Sequence, residues 1–217
     1  MLKGLRLYLL LFFCSITIAD ENSSQERVYR RILKSYPINL EPSKLEDANS
    51  IQLMVQLSEG LVKYEEGKLE PALAEKWEIS YNLKEYTFYI NQTSKFSNGR
   101  KITSKYVSDS FYNIISKSSI FKDDLVYIDG AEEFSLNKAN KIKGIEQLSE
   151  NIIKIKLKEP FSPFLYLLTA PQFSILPKES IDLLKKEKIS KFISSGPYFI
   201  SDLKKNKVIL EKNRYYY

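Results

Sequence analysis

Residues 85–107 read EYTFYINQTSKFSNGRKITSKYV, and their pattern decides the fold class. Every second side chain from Tyr86 to Ile90 is apolar, which predicts a strand with one buried face. Ser97-Asn98-Gly99 predicts a tight turn. Thr103 has the side chain of a helix N-cap, and a helix with an apolar face is predicted over 104–116. A strand followed closely by an amphipathic helix predicts an α/β fold of the mixed α+β kind.

The same patterns extend the fold on both sides of this stretch. Residues 77–80 predict a strand that pairs with 85–91, and residues 142–147 and 152–157 predict a second hairpin. Helices are predicted at 49–61, 72–75 (a single turn), 164–169 and 177–188, and strands at 27–33, 198–200 and 208–211. We expect a shared buried core from Trp77, Phe88, Phe111, Ile155 and Phe164. No repeat or flexible linker interrupts the chain, so one continuous body is expected.

Composition narrows the function classes. The chain has 217 residues, 43% hydrophobic and 28% charged, and a net charge of +6, as is typical of a globular protein. It has no histidine, and Cys14 is its one cysteine. These absences exclude Ser-His-Asp and Cys-His catalysis, HExxH zinc sites and an internal disulfide framework. We expect no enzyme, no cofactor and no metal site. The lysines are scattered, so we interpret the charge as solubility and expect no nucleic-acid partner.

Residues 1–19, MLKGLRLYLLLFFCSITIA, have the organisation of a secretory signal peptide. A basic start and an apolar run precede small side chains at the two positions that signal peptidase inspects. The run is shorter than the ~20 residues of a membrane span, and the bulky Phe13 disfavours lipoprotein acylation of Cys14. We predict a mature N-terminus near Asp20 and an exported protein. A membrane anchor and a lipoprotein anchored at Cys14 are the alternatives.

An ordered series of short motifs runs through the rest of the chain. The motifs are Leu40-Glu41-Pro42, Glu59-Gly60-Leu61-Val62, Leu69-Glu70-Pro71-Ala72-Leu73-Ala74-Glu75-Lys76-Trp77, Lys95-Phe96-Ser97-Asn98-Gly99, Leu157-Lys158-Glu159-Pro160-Phe161, Gly196-Pro197-Tyr198 and Leu210-Glu211-Lys212-Asn213. In this order they resemble the extracytoplasmic solute-binding proteins of peptide-type ABC transporters (family 5), the oligopeptide and dipeptide binders. The resemblance covers almost the whole chain after the signal peptide.

The resemblance implies a domain organisation. Members have a two-lobed, type II-like periplasmic binding fold, and this chain corresponds to its N-terminal half, with the distal lobe absent. The implied division is 20–57 as the first segment of lobe I, 58–167 as an inserted domain II, and 168–217 as the second, truncated segment of lobe I. We therefore expect a truncated or split member of the family, or the product of an incomplete gene.

The resemblance also implies ligand-binding residues. Alignment from Leu40-Glu41-Pro42 places Glu46, Asp47 and Ala48 on the cleft wall, where a carboxylate and backbone groups contact a peptide main chain. Tyr127 corresponds to an aromatic residue that faces the cleft. The alternative interpretation is that Glu46 and Asp47 only precede a helix and favour its N-terminus.

The implied function is solute capture in the periplasm, without chemistry, and delivery to ABC permease subunits in the inner membrane. The ligand is a peptide or a related small solute. The motifs leave open whether it is a dipeptide, a longer peptide, a murein fragment, or a nickel or haem complex. A truncated remnant or scaffold fragment with no binding activity is the alternative.

Overall fold

The computed structural model describes residues 39–116, 118–186, 188–204 and 207–217. The predicted signal peptide and the strand predicted at 27–33 lie outside these residues. The described helices are α1 (Ala48–Leu57), α2 (Ser104–Ile115), α3 (Ala131–Ser135), α4 (Phe164–Leu167) and α5 (Lys178–Leu184). The described strands are β1 (Val62–Glu65), β2 (Lys68–Pro71), β3 (Ala74–Ile79), β4 (Glu85–Ile90), β5 (Ile145–Ser149), β6 (Ile152–Lys156), β7 (Tyr198–Lys204) and β8 (Lys207–Lys212). The predicted mixed α/β fold is confirmed.

The central sheet has four strands in the order β3-β4-β6-β5, and all neighbours are antiparallel. The predicted alternation in β4 is confirmed, because Tyr86, Phe88 and Ile90 are buried while the side chains between them are not. Phe111 of α2 belongs to the same buried cluster as Phe88. The amphipathic helix therefore covers the apolar face of the sheet. Two separate antiparallel ribbons, β1-β2 and β7-β8, complete the strand pairing.

Trp77 is not fully buried, contrary to the prediction. It lies on β3 opposite Phe88 of β4 and packs against the cluster while keeping part of its ring exposed. The reason is that, among the described strands, β3 pairs with β4 alone and so lies at an edge of the sheet. The other four predicted core residues are buried as expected.

Two predicted helix segments are wrong. Residues 72–75 do not form a helical turn, because the N–H groups of Leu73 and Ala74 donate to the carbonyls of Gly60 and Leu61, at 3.1 and 3.0 Å, and β3 begins there. Helix α1 ends at Leu57 rather than at residue 61. The Leu57 carbonyl instead accepts a hydrogen bond from the N–H of Gly196, at 3.0 Å.

The buried apolar residues in the described part of the chain form two clusters. The larger one draws its members from residues 61–175 and surrounds the central sheet, α2 and α4. The smaller one draws its members from residues 40–57 and 176–200, and so joins α1, α5 and β7. Phe121 packs against both clusters. Within the described residues, no helix has the length and apolar character needed to cross a membrane.

Candidate functional site

The segment before α1 is built on a buried carboxylate. The Glu41 side chain is only 3% exposed, accepts a hydrogen bond from the Ser43 hydroxyl, and lies 3.7 Å from the Lys44 ammonium. The Asn39 side-chain carbonyl accepts from the N–H of Glu41 at 2.8 Å. Pro42 starts a 3₁₀ turn directly after Glu41. These contacts fix the path of the chain into the candidate cleft residues.

Two of the three predicted cleft residues face solvent. Glu46 and Ala48 are exposed, and no described residue forms an ion pair with Glu46. Asp47 is the N-cap of α1, and its carboxylate accepts a hydrogen bond from the Ser50 N–H at 2.9 Å. The structure therefore gives Asp47 the structural role that the alternative interpretation assigned to it, while the Glu46 side chain is exposed.

Tyr127 lies on the loop between α2 and α3. Its ring stacks on the ring of Phe161, with centroids 3.9 Å apart and planes 6° from parallel. The Tyr127 carbonyl accepts from the N–H of Lys158 at 2.8 Å. No hydrogen bond or ring contact between described residues joins Tyr127 to 46–48. The structure does not bring the predicted aromatic residue into contact with the predicted acidic wall.

Sequence reasoning missed a hydrogen-bonded carboxylate at the end of α1. The Glu59 carboxylate accepts from the hydroxyls of Tyr216 and Tyr217, at 2.9 and 2.7 Å. The N–H of Glu59 donates to the Ser195 hydroxyl at 3.0 Å, and its carbonyl accepts from the N–H of Ile175 at 2.9 Å. Glu59 thus ties three distant segments together. The motif containing Glu59 was the only sequence signal of this role.

The environment of Glu59 changes the pKa of its carboxyl group. Burial raises the pKa of the Glu59 carboxyl, and the hydrogen bonds from Tyr217 and Tyr216 and the charge of Lys63 lower it by a smaller amount. Burial and the neighbouring carboxylate in turn raise the pKa of both tyrosine hydroxyls. The tyrosines therefore stay protonated and act as donors to Glu59 at neutral pH.

We expect the Glu59→Gln variant to gain stability relative to wild type as the pH rises from about 4 to about 7. The pKa of the Glu59 carboxyl is higher in the folded protein than the ordinary glutamate value of 4.5, which applies to the unfolded chain. Between these two pKa values the unfolded chain loses its proton first, so the wild-type fold loses stability as the pH rises through this window. Glutamine does not ionise and removes this loss.

Urea unfolding of both proteins at the two pH values measures the difference. Glu211→Gln, at an exposed position of β8, is the matched control and should follow wild type at both values. Parallel pH profiles for Glu59→Gln and wild type would contradict the prediction.

The described residues offer little for a metal or an enclosed ligand. No group of three or more Cys, Asp or Glu residues in the described part of the chain is placed to hold a metal ion. A cavity of about 200 Å³ lies beside α3, and one of about 420 Å³ lies between α2 and residues 141–147. Neither cavity is lined by Glu46, Asp47, Ala48 or Tyr127.

Residues 68–217 match the family described as bacterial extracellular solute-binding proteins, family 5 Middle. A binding protein of Haemophilus influenzae is 30% identical over 183 residues, which are 83% of this chain and 34% of the relative. The periplasmic oligopeptide-binding protein OppA of Salmonella typhimurium is 26% identical over 82% of this chain and 34% of its own length. The chain spans about a third of the length of these relatives.

A solved structure shows the same fold. The crystal structure of a periplasmic oligopeptide-binding protein of an ABC transporter from Borrelia burgdorferi is similar with a TM-score of 0.79 and 29% identity. The similarity covers 86% of this chain and 39% of that one.

Proposed function

The chain belongs to the bacterial extracellular solute-binding proteins of family 5, and on that premise we propose that it captures peptides for an ABC importer. The observation that carries the proposal is the combined likeness in backbone and sequence to the Borrelia burgdorferi oligopeptide-binding protein. Capture requires no bond to form or break, which agrees with a chain that has no histidine and one cysteine.

The exposed surface at the N-terminus of α1 has groups that can bind an extended peptide. A peptide main chain needs partners for its N–H and C=O groups. The N–H of Ala48 belongs to the first turn of α1, where backbone donors have no partner within the helix. The Glu46 carboxylate, two residues away, is exposed and attracts a cationic group. We assign peptide contact to Glu46 and to the backbone at Ala48, with Asp47 holding the helix start in place.

We further propose the division into a first lobe I segment at 20–57, a domain II at 58–167 and a second lobe I segment at 168–217. The two apolar clusters support its outline, because one draws on residues 61–175 and the other on residues 40–57 and 176–200. The larger cluster also includes Leu168, Phe173 and Ile175, at the start of the second lobe I segment. In this division Glu59 lies at the start of domain II, and its hydrogen bonds to Tyr216 and Tyr217 link domain II to the second lobe I segment. Tyr127 then belongs to domain II.

The proposed location is the periplasm, and the proposed partners are permease subunits in the inner membrane. The predicted signal peptide at 1–19 supports export, and the OppA relative is named as a periplasmic protein. A peptide is the proposed ligand because OppA and the Borrelia burgdorferi protein are both named as oligopeptide-binding.

We expect saturable binding of di- to pentapeptides with a dissociation constant in the millimolar range, about 4 kcal/mol of binding free energy. Binding is weak because Glu46 and Ala48 lie on an open face, whereas tight sites enclose most of their ligand. Glu46→Ala should weaken binding about tenfold or more, the size of a lost charge-assisted contact. Calorimetric titration of the chain from residue 20 onward with a mixed peptide pool measures both values.

Glu75→Ala is the matched control, since it removes an exposed carboxylate from β3 and should leave binding unchanged. Equal affinity for Glu46→Ala and Glu75→Ala would remove Glu46 from the site. No saturable binding by the wild-type chain would favour the alternative of a remnant without a ligand site.

A further inference from the structure

The cavity of about 420 Å³ between α2 and residues 141–147 follows β5, which has β6 as its one neighbour among the described strands and so forms an edge of the central sheet. It touches three consecutive residues of β5, Ile145, Glu146 and Gln147. Successive side chains of a strand point to opposite faces, so a cavity that touches three in a row runs along the strand edge. We name this cavity, with its lining residues Ser108, Tyr112, Lys141, Ile142, Lys143, Ile145, Glu146 and Gln147, the edge groove.

The backbone of β5 has hydrogen-bonding groups that face the edge groove. The N–H of Lys156 in β6 donates to the carbonyl of Gly144 at 2.8 Å. This bond fixes the antiparallel alternation, so Glu146 bonds inward to β6 and Gln147 directs its N–H and C=O away from the sheet. No described residue supplies a hydrogen bond to these Gln147 groups. Two neighbouring groups of β5 are already bonded, since the Ile145 N–H donates to the Ile142 carbonyl and the Ser149 carbonyl accepts from the Ser104 hydroxyl. The free N–H and C=O of Gln147 are therefore the template for an added strand.

The walls of the edge groove are held rigidly. The Tyr112 hydroxyl accepts a hydrogen bond from the N–H of Ile142 at 3.0 Å. Gly130, at a φ of 79°, lies close to the loop before β5. A Cβ at residue 130 would be 2.7 Å from the backbone N of Lys143 in that loop. The loop before β5 is therefore fixed from both sides. A pre-formed groove does not spend binding energy on its own ordering.

The positive charge of the edge groove favours an acidic partner. Lys141 and Lys143 line it, both are exposed, and neither forms an ion pair with a described residue. Lys138 adds a third exposed cation on the same loop. Glu146 is the one acidic lining residue, and it lies opposite Lys154 on β6, away from the face of Ile145 and Gln147. The groove side of an added strand thus meets positive charge.

We propose that the edge groove binds an extended acidic segment of another protein by strand addition to β5. The segment carries acidic side chains at alternate positions, facing Lys141 and Lys143, with uncharged residues on the side of Glu146. Its backbone pairs with Gln147. This site is separate from the face around Glu46, and it does not rest on peptide import.

The probe is the fluorescently labelled peptide acetyl-Glu-Thr-Glu-Thr-Glu-Thr-amide, titrated into the chain from residue 20 onward. We expect saturable binding, and chemical-shift changes at the amides of residues 145–147 rather than at 46–48. The double variant Lys141→Glu/Lys143→Glu should weaken binding about tenfold or more, as should N-methylation of alternate peptide amides, which removes strand hydrogen bonds. The double variant Lys207→Glu/Lys212→Glu makes the same charge change on β8 and should bind like wild type.

Several outcomes would overturn the proposal. Unchanged affinity for the N-methylated peptide would show binding by charge alone, without strand addition. Equal loss in both double variants would point to overall charge rather than to this groove. Absence of binding, or shift changes confined to residues 46–48, would remove the site. Sedimentation that shows a dimer formed through β5 would make a second copy the occupant.

Discussion

Phe88→Ala should lower the free energy of unfolding by about 3–5 kcal/mol, the range for truncation of a buried aromatic side chain. Phe88 has no exposed surface. It lies on β4 opposite Trp77 of β3 and Ile153 of β6, and α2 covers the same face. The side chain is surrounded on all sides, so alanine leaves a cavity that the rigid sheet cannot close.

Urea unfolding of the variants measures this loss, with Thr87→Ala as the control on the opposite face of the same strand. Trp77→Ala should cost less than half as much as Phe88→Ala, because the Trp77 ring is partly exposed and less apolar surface returns to water. Equal losses for Trp77→Ala and Phe88→Ala would show that the edge strand is covered. A loss below about 1 kcal/mol for Phe88→Ala would contradict its place in the core.

Gly196→Ala should cost about 1–3 kcal/mol, the range for an added group without room. A Cβ at residue 196 would lie 2.7 Å from the N of Ser58 and 2.8 Å from the carbonyl carbon of Leu57. Both are backbone atoms at the end of α1, and backbone cannot move aside as a flexible side chain can. The hydrogen bond from Gly196 to Leu57 holds the two segments at this distance. The variant must therefore shift α1 relative to the segment that leads into β7.

Ser201→Ala, at an exposed position of β7, is the control and should stay within about 0.5 kcal/mol of wild type. Thermal and urea unfolding of both variants test the contact. A Gly196→Ala protein as stable as wild type would mean that the close approach of residues 57–58 and 196 is absent.

Local patterns in the sequence were sufficient to predict the helices and strands that bury one full face. The alternation at Tyr86, Phe88 and Ile90 and the apolar stripe of α2 each repeat with the period of one kind of secondary structure. Strand β6 has the same property, since Ile153 and Ile155 are buried and alternate with residues that are not. Strand β5 lacks it: the prediction was 142–147, whereas the strand spans Ile145–Ser149 and is mostly exposed. The motif order was sufficient for the family. These features can be predicted without knowledge of tertiary contacts, because each residue's role depends on its near neighbours in the chain.

Tertiary contacts decided the short and exposed elements. Residues 72–75 have helix-forming side chains, yet Leu73 and Ala74 pair with 60–61, and the partner's backbone overrides local preference. The sequence predicts Trp77 as a buried core residue. Its partial exposure follows from the edge position of β3, which depends on the order of the strands in the sheet. An aspartate such as Asp47 can serve either as a ligand contact or as a helix N-cap. Only the hydrogen bond that its carboxylate accepts from the Ser50 N–H shows that it is the N-cap of α1.

The sequence by itself determined the fold class, the buried face of the sheet and the family of this protein. Only the tertiary structure decided the roles of Glu59 and the edge groove. Glu59 meets tyrosines that are 157 and 158 residues away along the chain, and the edge groove exists because α2, the loop before β5 and the free edge of β5 meet in space. Local periodicity reports which face of an element is apolar, whereas the identity of a distant partner depends on how the packed elements are arranged.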